Sequence, residues 1–233
     1  MLGELMLRQR LSPARADLLM RSYKRTWARR LMRQVGLAVN VESPPPSDAR
    51  GLLVVANHRS YLDIPVLMTQ LDCAILSKAE VAQWPVFGLA ARSVGTLFVD
   101  RASAESRAAT LEAVGRKLQQ GETVLVFPEG TTTPSPEVRE FKPGLFQLAA
   151  RMGVPVLPVA LHYSETRLEW VGDDGFSAHF MRNFQYKSAG VRLTFGPVLT
   201  SPEGRELCRT AETWVREAVG GLLLPSIPSP LHR

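Results

Sequence analysis

"LLVVANHRSYLDIPVL", residues 52–67, begins with five apolar residues, Leu52 to Ala56. It then passes through Asn57, His58, Arg59 and Ser60, and ends in a second apolar run that contains Asp63 and Pro65. An uninterrupted apolar run this short reads as a strand covered on both faces, which requires helices on both sides of a sheet. The residues after it read as a turn and a helix start, because Ser60 or Asp63 can cap and Pro65 fits a first turn. The same alternation continues along the chain. Further β-rich runs occur at 73–76, 96–99, 123–127, 154–160 and 191–195, with helical patterns at about 64–71, 79–92, 103–119, 144–152 and 203–220. The pattern at 103–119 is the clearest: Ser103 can cap it, Ala108, Leu111 and Leu118 face one way, and Gly121 can end it. The expected fold is α/β, a single domain with a central, mostly parallel or mixed sheet flanked by helices. Sites in such sheets lie beyond the carboxyl ends of strands, and His58 directly follows the first of these strands.

Ahead of this unit, residues 16–35 read as a basic amphipathic helix stopped by Gly36, preceded by a shorter possible helix at residues 2–10. Leu19, Tyr23, Trp27, Leu31 and Val35 recur every four residues, and Met20 widens the stripe. Residues 1–36 hold nine Lys or Arg against two acids, so this lead-in carries +7 against a net charge of +6 and the rest of the chain is slightly acidic. Such a helix, with Trp and Tyr in its stripe, suits an anionic membrane surface; packing on the domain with a solvated basic back is the other reading. No run reaches the length of a membrane-spanning helix, and Arg8 and Arg10 interrupt any signal-peptide core. Cys73 and Cys208 lie far apart in no metal-like spacing, which fits a reducing compartment.

The chemistry concentrates at His58 and Asp63. On a continuous helix, residues five apart point about 140° away from each other, so the pair can touch only if His58 lies in the turn and Asp63 at the helix start. A carboxylate on one ring nitrogen would then fix the tautomer and leave the other nitrogen free to take a proton. The same residues also allow a purely structural reading, since Ser60-Tyr61-Leu62-Asp63 has the form of a capping box.

Other polar residues punctuate strand ends. "GTLFVDR" (95–101) ends in Arg101, "FPEGTTT" (127–133) makes a Pro-Glu-Gly turn, and "FKPGLF" (141–146) and "VPVLPVAL" (154–161) follow. Taken singly, Arg101 could pair with Asp100 or Glu105, Glu129 could cap a strand end, and Lys142 could be a solvated lysine. Taken together and in this order with "NHRSYLD", the blocks resemble the glycerolipid acyltransferase family that includes the 1-acylglycerol-3-phosphate acyltransferases, over roughly residues 50–165.

The resemblance implies that His58 is a general base that deprotonates the acceptor hydroxyl for direct attack on an acyl thioester, with Asp63 as its orienting partner. It implies that Arg101 binds an anionic head group and that Glu129, Gly130 and Thr131 contribute to acceptor binding. Asn57, Ser60 and Lys142 complete the candidate set, and the strand at 154–161 is the fourth block, mostly packing. The implied partners are a lysophospholipid acceptor, first of all 1-acyl-sn-glycerol-3-phosphate, and acyl-CoA or acyl-carrier protein as donor; no metal or other cofactor is expected. Two features bear on the acceptor. Thr131-Thr132-Thr133 lacks the arginine that many phosphate-acceptor members carry, and "EWVGDDGFSAHF" (169–180) is similar to a segment of bacterial members that include lyso-ornithine-lipid acyltransferases. Asp173 and His179 within it are expected to stand outside the chemistry.

The expected organisation is therefore 1–42 as N-terminal amphipathic membrane-docking helices, 43–225 as the α/β acyltransferase domain and 226–233 as a tail. The protein is expected at the cytoplasmic face of a membrane, peripherally bound. An alternative acceptor is a lyso-ornithine lipid or another lysolipid. A reading of another class, a non-catalytic basic module for membrane or nucleic acid, fits less well, because the basicity is confined to one helix and no nucleic-acid motif appears.

Overall fold

The computed structural model describes residues 13–78, 96–99, 104–172, 175–184 and 189–223. Seven strands, β1 (Leu37–Val41), β2 (Leu53–Ala56), β3 (Ala74–Lys78), β4 (Leu97–Val99), β5 (Val124–Val126), β6 (Val156–Tyr163) and β7 (Ala189–Phe195), form one sheet in the spatial order β1-β7-β6-β2-β5-β3-β4. The helices are α1 (Pro13–Gln34), α2 (Asp63–Met68), α3 (Ala104–Gln119), α4 (Gly144–Met152), α5 (Phe176–Phe184) and α6 (Gly204–Leu223). Five pairings are parallel and one, β6 with β7, is antiparallel, so β1 and β7 run against the other five strands. The expected α/β fold with its mostly parallel sheet is what the chain adopts. The helices expected at 2–10 and 79–92, and the tail at 226–233, lie outside the described residues.

The four residues of β2 are all buried, and they alternate between two cores. Val54 and Ala56 face a layer with Leu125, Leu157, Val159, Leu161 and Leu193, covered by Leu62, Val66 and Leu67 from the α2 region and by Met32 of α1. Leu53 and Val55 face the opposite layer with Val124, Val126, Val156 and Ala160, covered by α3, α4 and α6 through Val114, Phe146, Ala149, Leu207, Ala211, Val215 and Val219. This double burial is why β2 is a continuous apolar run. Each large side chain fully removed from water stabilises the fold by about 1.5–3 kcal/mol.

Two elements depart from the sequence reading. β1 follows Gly36, whose φ of +68° turns the chain out of α1 and into the sheet. It lies within the span 1–42 assigned to the lead-in, yet it pairs with β7 from Leu37 to Val41. Residues 176–184, where the sequence reading placed no helix, form α5.

The stripe expected on α1 is divided. Ala28 and Met32 are buried, and Trp27, Leu31 and Val35 pack partly against the core. Leu19 and Tyr23 are exposed at 46 % and 66 %, so the amino-terminal half of the stripe faces away from the domain. Lys24 approaches Asp72 at 3.7 Å and Arg25 Nη2 donates to the Gln70 carbonyl at 3.1 Å, tying α1 to the turn after α2. Arg29, Arg30 and Arg33 are exposed. Among the described residues, no helix is long and apolar enough to cross a membrane.

Candidate active site

β2 ends at Ala56, and the next residue continues the sheet with its side chain. Asn57 is buried; its Nδ2 donates to the Leu161 carbonyl and its Oδ1 accepts the Leu161 N–H, both at 2.9 Å. This pins the turn to β6 and leaves His58 just beyond the strand, at the carboxyl edge of the sheet.

The His58 ring is 21 % exposed and stacks on Phe127 at 4.0 Å and 15°. Its Nδ1 lies 2.7 Å from Asp63 Oδ2. Asp63 is fully buried as the first residue of α2, so the turn-then-helix geometry required by the five-residue spacing is present. Asp63 Oδ2 also accepts the backbone N–H groups of Arg59 at 2.7 Å and Ser60 at 3.0 Å, and Oδ1 accepts the Tyr163 hydroxyl at 2.7 Å. With Asp63 as acceptor, Nδ1 carries the proton and Nε2 presents its lone pair outward.

The Ser60 cap expected from the sequence is only half formed. The acid reaches back to the Ser60 N–H, but the Ser60 hydroxyl is buried without a hydrogen-bond partner, and α2 has no side-chain cap. Asp63 instead acts as a hub for the turn, which a capping-box reading hides because the same spacing serves both.

Glu129 is 4 % exposed, and three donors converge on it. Oε1 accepts the His58 N–H at 2.7 Å, while Oε2 accepts the Thr133 hydroxyl at 2.6 Å and the Arg139 N–H at 2.9 Å. Expected as an acceptor-binding residue, Glu129 points inward and braces the base. The Thr133 N–H returns to the His58 carbonyl at 2.8 Å, so the two loops hold each other at both ends. Gly130 follows with φ +80°, and Lys142 Nζ would lie 2.5 Å from a β-carbon built there. The positive φ at 130 favours glycine, whereas the lysine tip is flexible and could move aside. Lys142 is otherwise exposed, and Thr131 is half-buried on the same turn. Arg101 and Asp173 lie outside the described residues.

Behind the turn, Arg59 is fully buried. Its Nη1 donates to the carbonyls of Thr133 at 2.8 Å, Pro134 at 3.3 Å and Glu137, whereas Nε and Nη2 have no partner. Burial lowers the guanidinium's affinity for its proton, opposed chiefly by Glu129 and then by Glu169, Asp63 and Glu137. Glu169 Oε2 accepts the Ser135 N–H at 3.0 Å, closing this layer. His179 is buried, with its Nδ1 3.1 Å from the Tyr61 hydroxyl. Both cysteines are free and buried; burial pushes each thiol up to about 12, which leaves neither as a thiolate at neutral pH.

Sequence reasoning missed Tyr163, Phe127, Arg59 and Thr133. The strand pattern held a usable signal for Tyr163: Leu157, Val159 and Leu161 share one face, and continuing that alternation puts residue 163 on the Asp63 side.

Several known proteins are similar to this chain. A family model described as Acyltransferase matches residues 38–162. The lyso-ornithine lipid O-acyltransferase of Pseudomonas aeruginosa is 34 % identical over 227 residues, covering 94 % of this chain and 87 % of its own length. The 1-acyl-sn-glycerol-3-phosphate acyltransferase of Neisseria meningitidis serogroup B is 31 % identical over 183 residues, covering 76 % and 72 %. The crystal structure of the 1-acyl-sn-glycerophosphate (LPA) acyltransferase PlsC from Thermotoga maritima matches with a TM-score of 0.72 and 25 % identity, over 97 % of this chain and 89 % of that one.

Proposed function

The chain belongs to the acyltransferase family, and on that premise we propose that it moves a fatty acyl chain from a thioester to the free hydroxyl of a lysolipid, with His58 as general base. One observation carries the mechanism: the partly exposed His58 ring held by Asp63 at 2.7 Å through Nδ1. His58 Nε2 takes the proton of the acceptor hydroxyl as the oxygen attacks the thioester carbonyl carbon. The C–S bond breaks on collapse of the tetrahedral species, and the departing thiolate receives the proton held by His58. Asp63 stabilises the imidazolium in between. A thiolate leaves readily, so a base and correct orientation suffice, with no covalent enzyme intermediate. His58→Ala should lower transfer by about 10²–10⁴-fold in a folded protein; transfer at the wild-type rate would remove the mechanism.

The acceptor in this reading is 1-acyl-sn-glycerol-3-phosphate, its anionic head group met by Lys142 above Gly130 and by Arg101, with Thr131 beside them. Glu129 contributes by bracing this turn. A lyso-ornithine lipid is a second reading, favoured by Thr132 where many phosphate-acceptor members carry arginine and by the Pseudomonas relative that spans nearly the whole chain. A panel of lysolipids with one radiolabelled acyl-CoA, repeated with acyl-carrier protein, separates the two acceptors and the two donors.

Within the span 1–42, the helical part ahead of β1 serves as the membrane-docking lead-in of this peripheral enzyme, which works at the cytoplasmic face. Support comes from exposed Leu19 and Tyr23 on the same helix as Arg29, Arg30 and Arg33. Each cation near an anionic surface adds about 1 kcal/mol. Flotation with anionic vesicles beside filter binding on duplex DNA tests this; binding to DNA alone would overturn it.

A further inference from the structure

Asp63 receives a donor that the transfer chemistry does not require. Tyr163, the last residue of β6, is 1 % exposed and gives its hydroxyl proton to Asp63 Oδ1 at 2.7 Å. The other three donors, His58 Nδ1 and the N–H groups of Arg59 and Ser60, all sit on Oδ2. We infer that Tyr163 is a positioning residue for the reaction: its hydroxyl locks the Asp63 carboxylate against His58 and draws charge away from it, so that His58 gives up its proton more readily and is free as a base at lower pH. The inference rests on the reading of His58 as the base.

A carboxylate that accepts several hydrogen bonds has its charge spread and satisfied, and pulls less on a cation beside it. With Oδ1 bare, the carboxylate would stabilise the His58 imidazolium more strongly and hold the ring protonated to higher pH. The hydroxyl is a dependable donor, because burial first, and then the Asp63 charge and the hydrogen bond itself, raise the phenol well above its ordinary value. Packing alone would be served by phenylalanine; a wholly buried hydroxyl needs a partner, and here the partner is the carboxylate that orients the base. The geometry also gives the strand of the fourth sequence block a part in the chemistry, since β6 holds Asn57 through Leu161 and Asp63 through Tyr163.

Among the described residues, the charged and titratable groups around the pair and its neighbours come from five segments. Arg59 and Tyr61 belong to its own loop, Glu129 and Glu137 to the loop after β5, Tyr163 to β6, Glu169 to the turn beyond it, and His179 to α5. None of these others donates to Oδ1, so Tyr163→Phe isolates one hydrogen bond.

The test is an NMR titration of the His58 ring in the full chain, its signal assigned by loss in His58→Gln, together with the pH profile of kcat/KM. In Tyr163→Phe the ring midpoint and the acid limb of the profile should both move up, by on the order of half a pH unit. Placing 3-fluorotyrosine at 163, a stronger donor of nearly the same size, should move both down, and it carries the test if the phenylalanine variant does not fold. Unmoved midpoints in the folded variants would overturn the proposal, as would a uniformly lower kcat with no displacement of the limb, which is the mark of packing alone. The titration needs no substrate, so its failure is distinguishable from failure of the transferase reading, which the wild-type lysolipid panel addresses.

Discussion

A serine two residues from a histidine invites the idea of an acyl-enzyme, and the surroundings of Ser60 argue against it. Its hydroxyl is fully buried and has no hydrogen-bond partner, so nothing is placed to take its proton. Ser60→Ala should therefore keep transfer within about twofold and leave thermal stability equal or slightly higher, because an unsatisfied buried hydroxyl is removed; initial rates and melting curves check both, and abolished transfer would revive the acyl-enzyme. Glu129 predicts the opposite. Three donors point at its two oxygens, and an amide would turn an N–H toward one of them. Glu129→Gln should cost about 1–3 kcal/mol in a denaturant titration, and it should lower kcat more than it raises KM, because the His58 backbone loses its brace. The His58–Asp63 pair was legible in the chain because both members lie five residues apart in one turn. Tyr163 was not: it stands 100 residues from Asp63, and only the sheet brings the two together. Glu129 was legible as a residue but not in its direction, since a sequence does not reveal whether a carboxylate at a strand end faces solvent or folds back on a neighbouring amide.

α1 combines two kinds of helix in one. Its carboxyl half is core, through Ala28 and Met32, and its amino half presents Leu19 and Tyr23 outward. Met32→Ala should cost about 2–4 kcal/mol in unfolding free energy. Leu19→Ser with Tyr23→Ser should change stability by no more than about 0.5 kcal/mol yet reduce co-flotation with anionic vesicles; a large drop in melting temperature would mean that the amino half is also core. The alternation of apolar runs made most of the other elements readable, and 144–152 coincides with α4. β1 escaped because its five residues show only every other side chain to the core, too short a pattern to stand out. α5 escaped for a different reason. Beside Phe176 and Phe180, its inward residues are His179 and Asn183, which satisfy each other and Tyr61, so the buried face does not read as apolar.

The fold as a whole stacks two cores on one sheet, with polar networks at the carboxyl edge of β2, β5 and β6. Strand order was not legible, because β2 pairs with β5 and β6 rather than with its neighbours in sequence. Part of this edge has a pH signature. His162 is 3.0 Å from the Ser135 hydroxyl, and burial lowers its proton affinity, opposed by Glu169. The folded state thus resists a proton that the unfolded chain accepts below about pH 6.5, so stability should fall as pH drops through that value. Melting curves between pH 7.5 and roughly 5.5 should show the loss in the wild type and a smaller one in His162→Gln; equal losses would assign the effect to other groups.

Because β1 and β7 run against the central strands, Leu37 pairs with Ala189 at the end of the sheet where β6 finishes. The end of α1 is thereby delivered beside the motif turn, where Val35 and Leu37 line a small cavity with Tyr61 and Leu62. The distance from that helix to the proton acceptor is therefore set by a few backbone units around Gly36, while the proline-rich connector after β1 joins strands at the far end. Extra glycines spliced between the exposed Ser47 and Asp48 should be silent. One added between Val35 and Gly36 should leave the catalyst intact on dissolved acceptor but out of step with a bilayer.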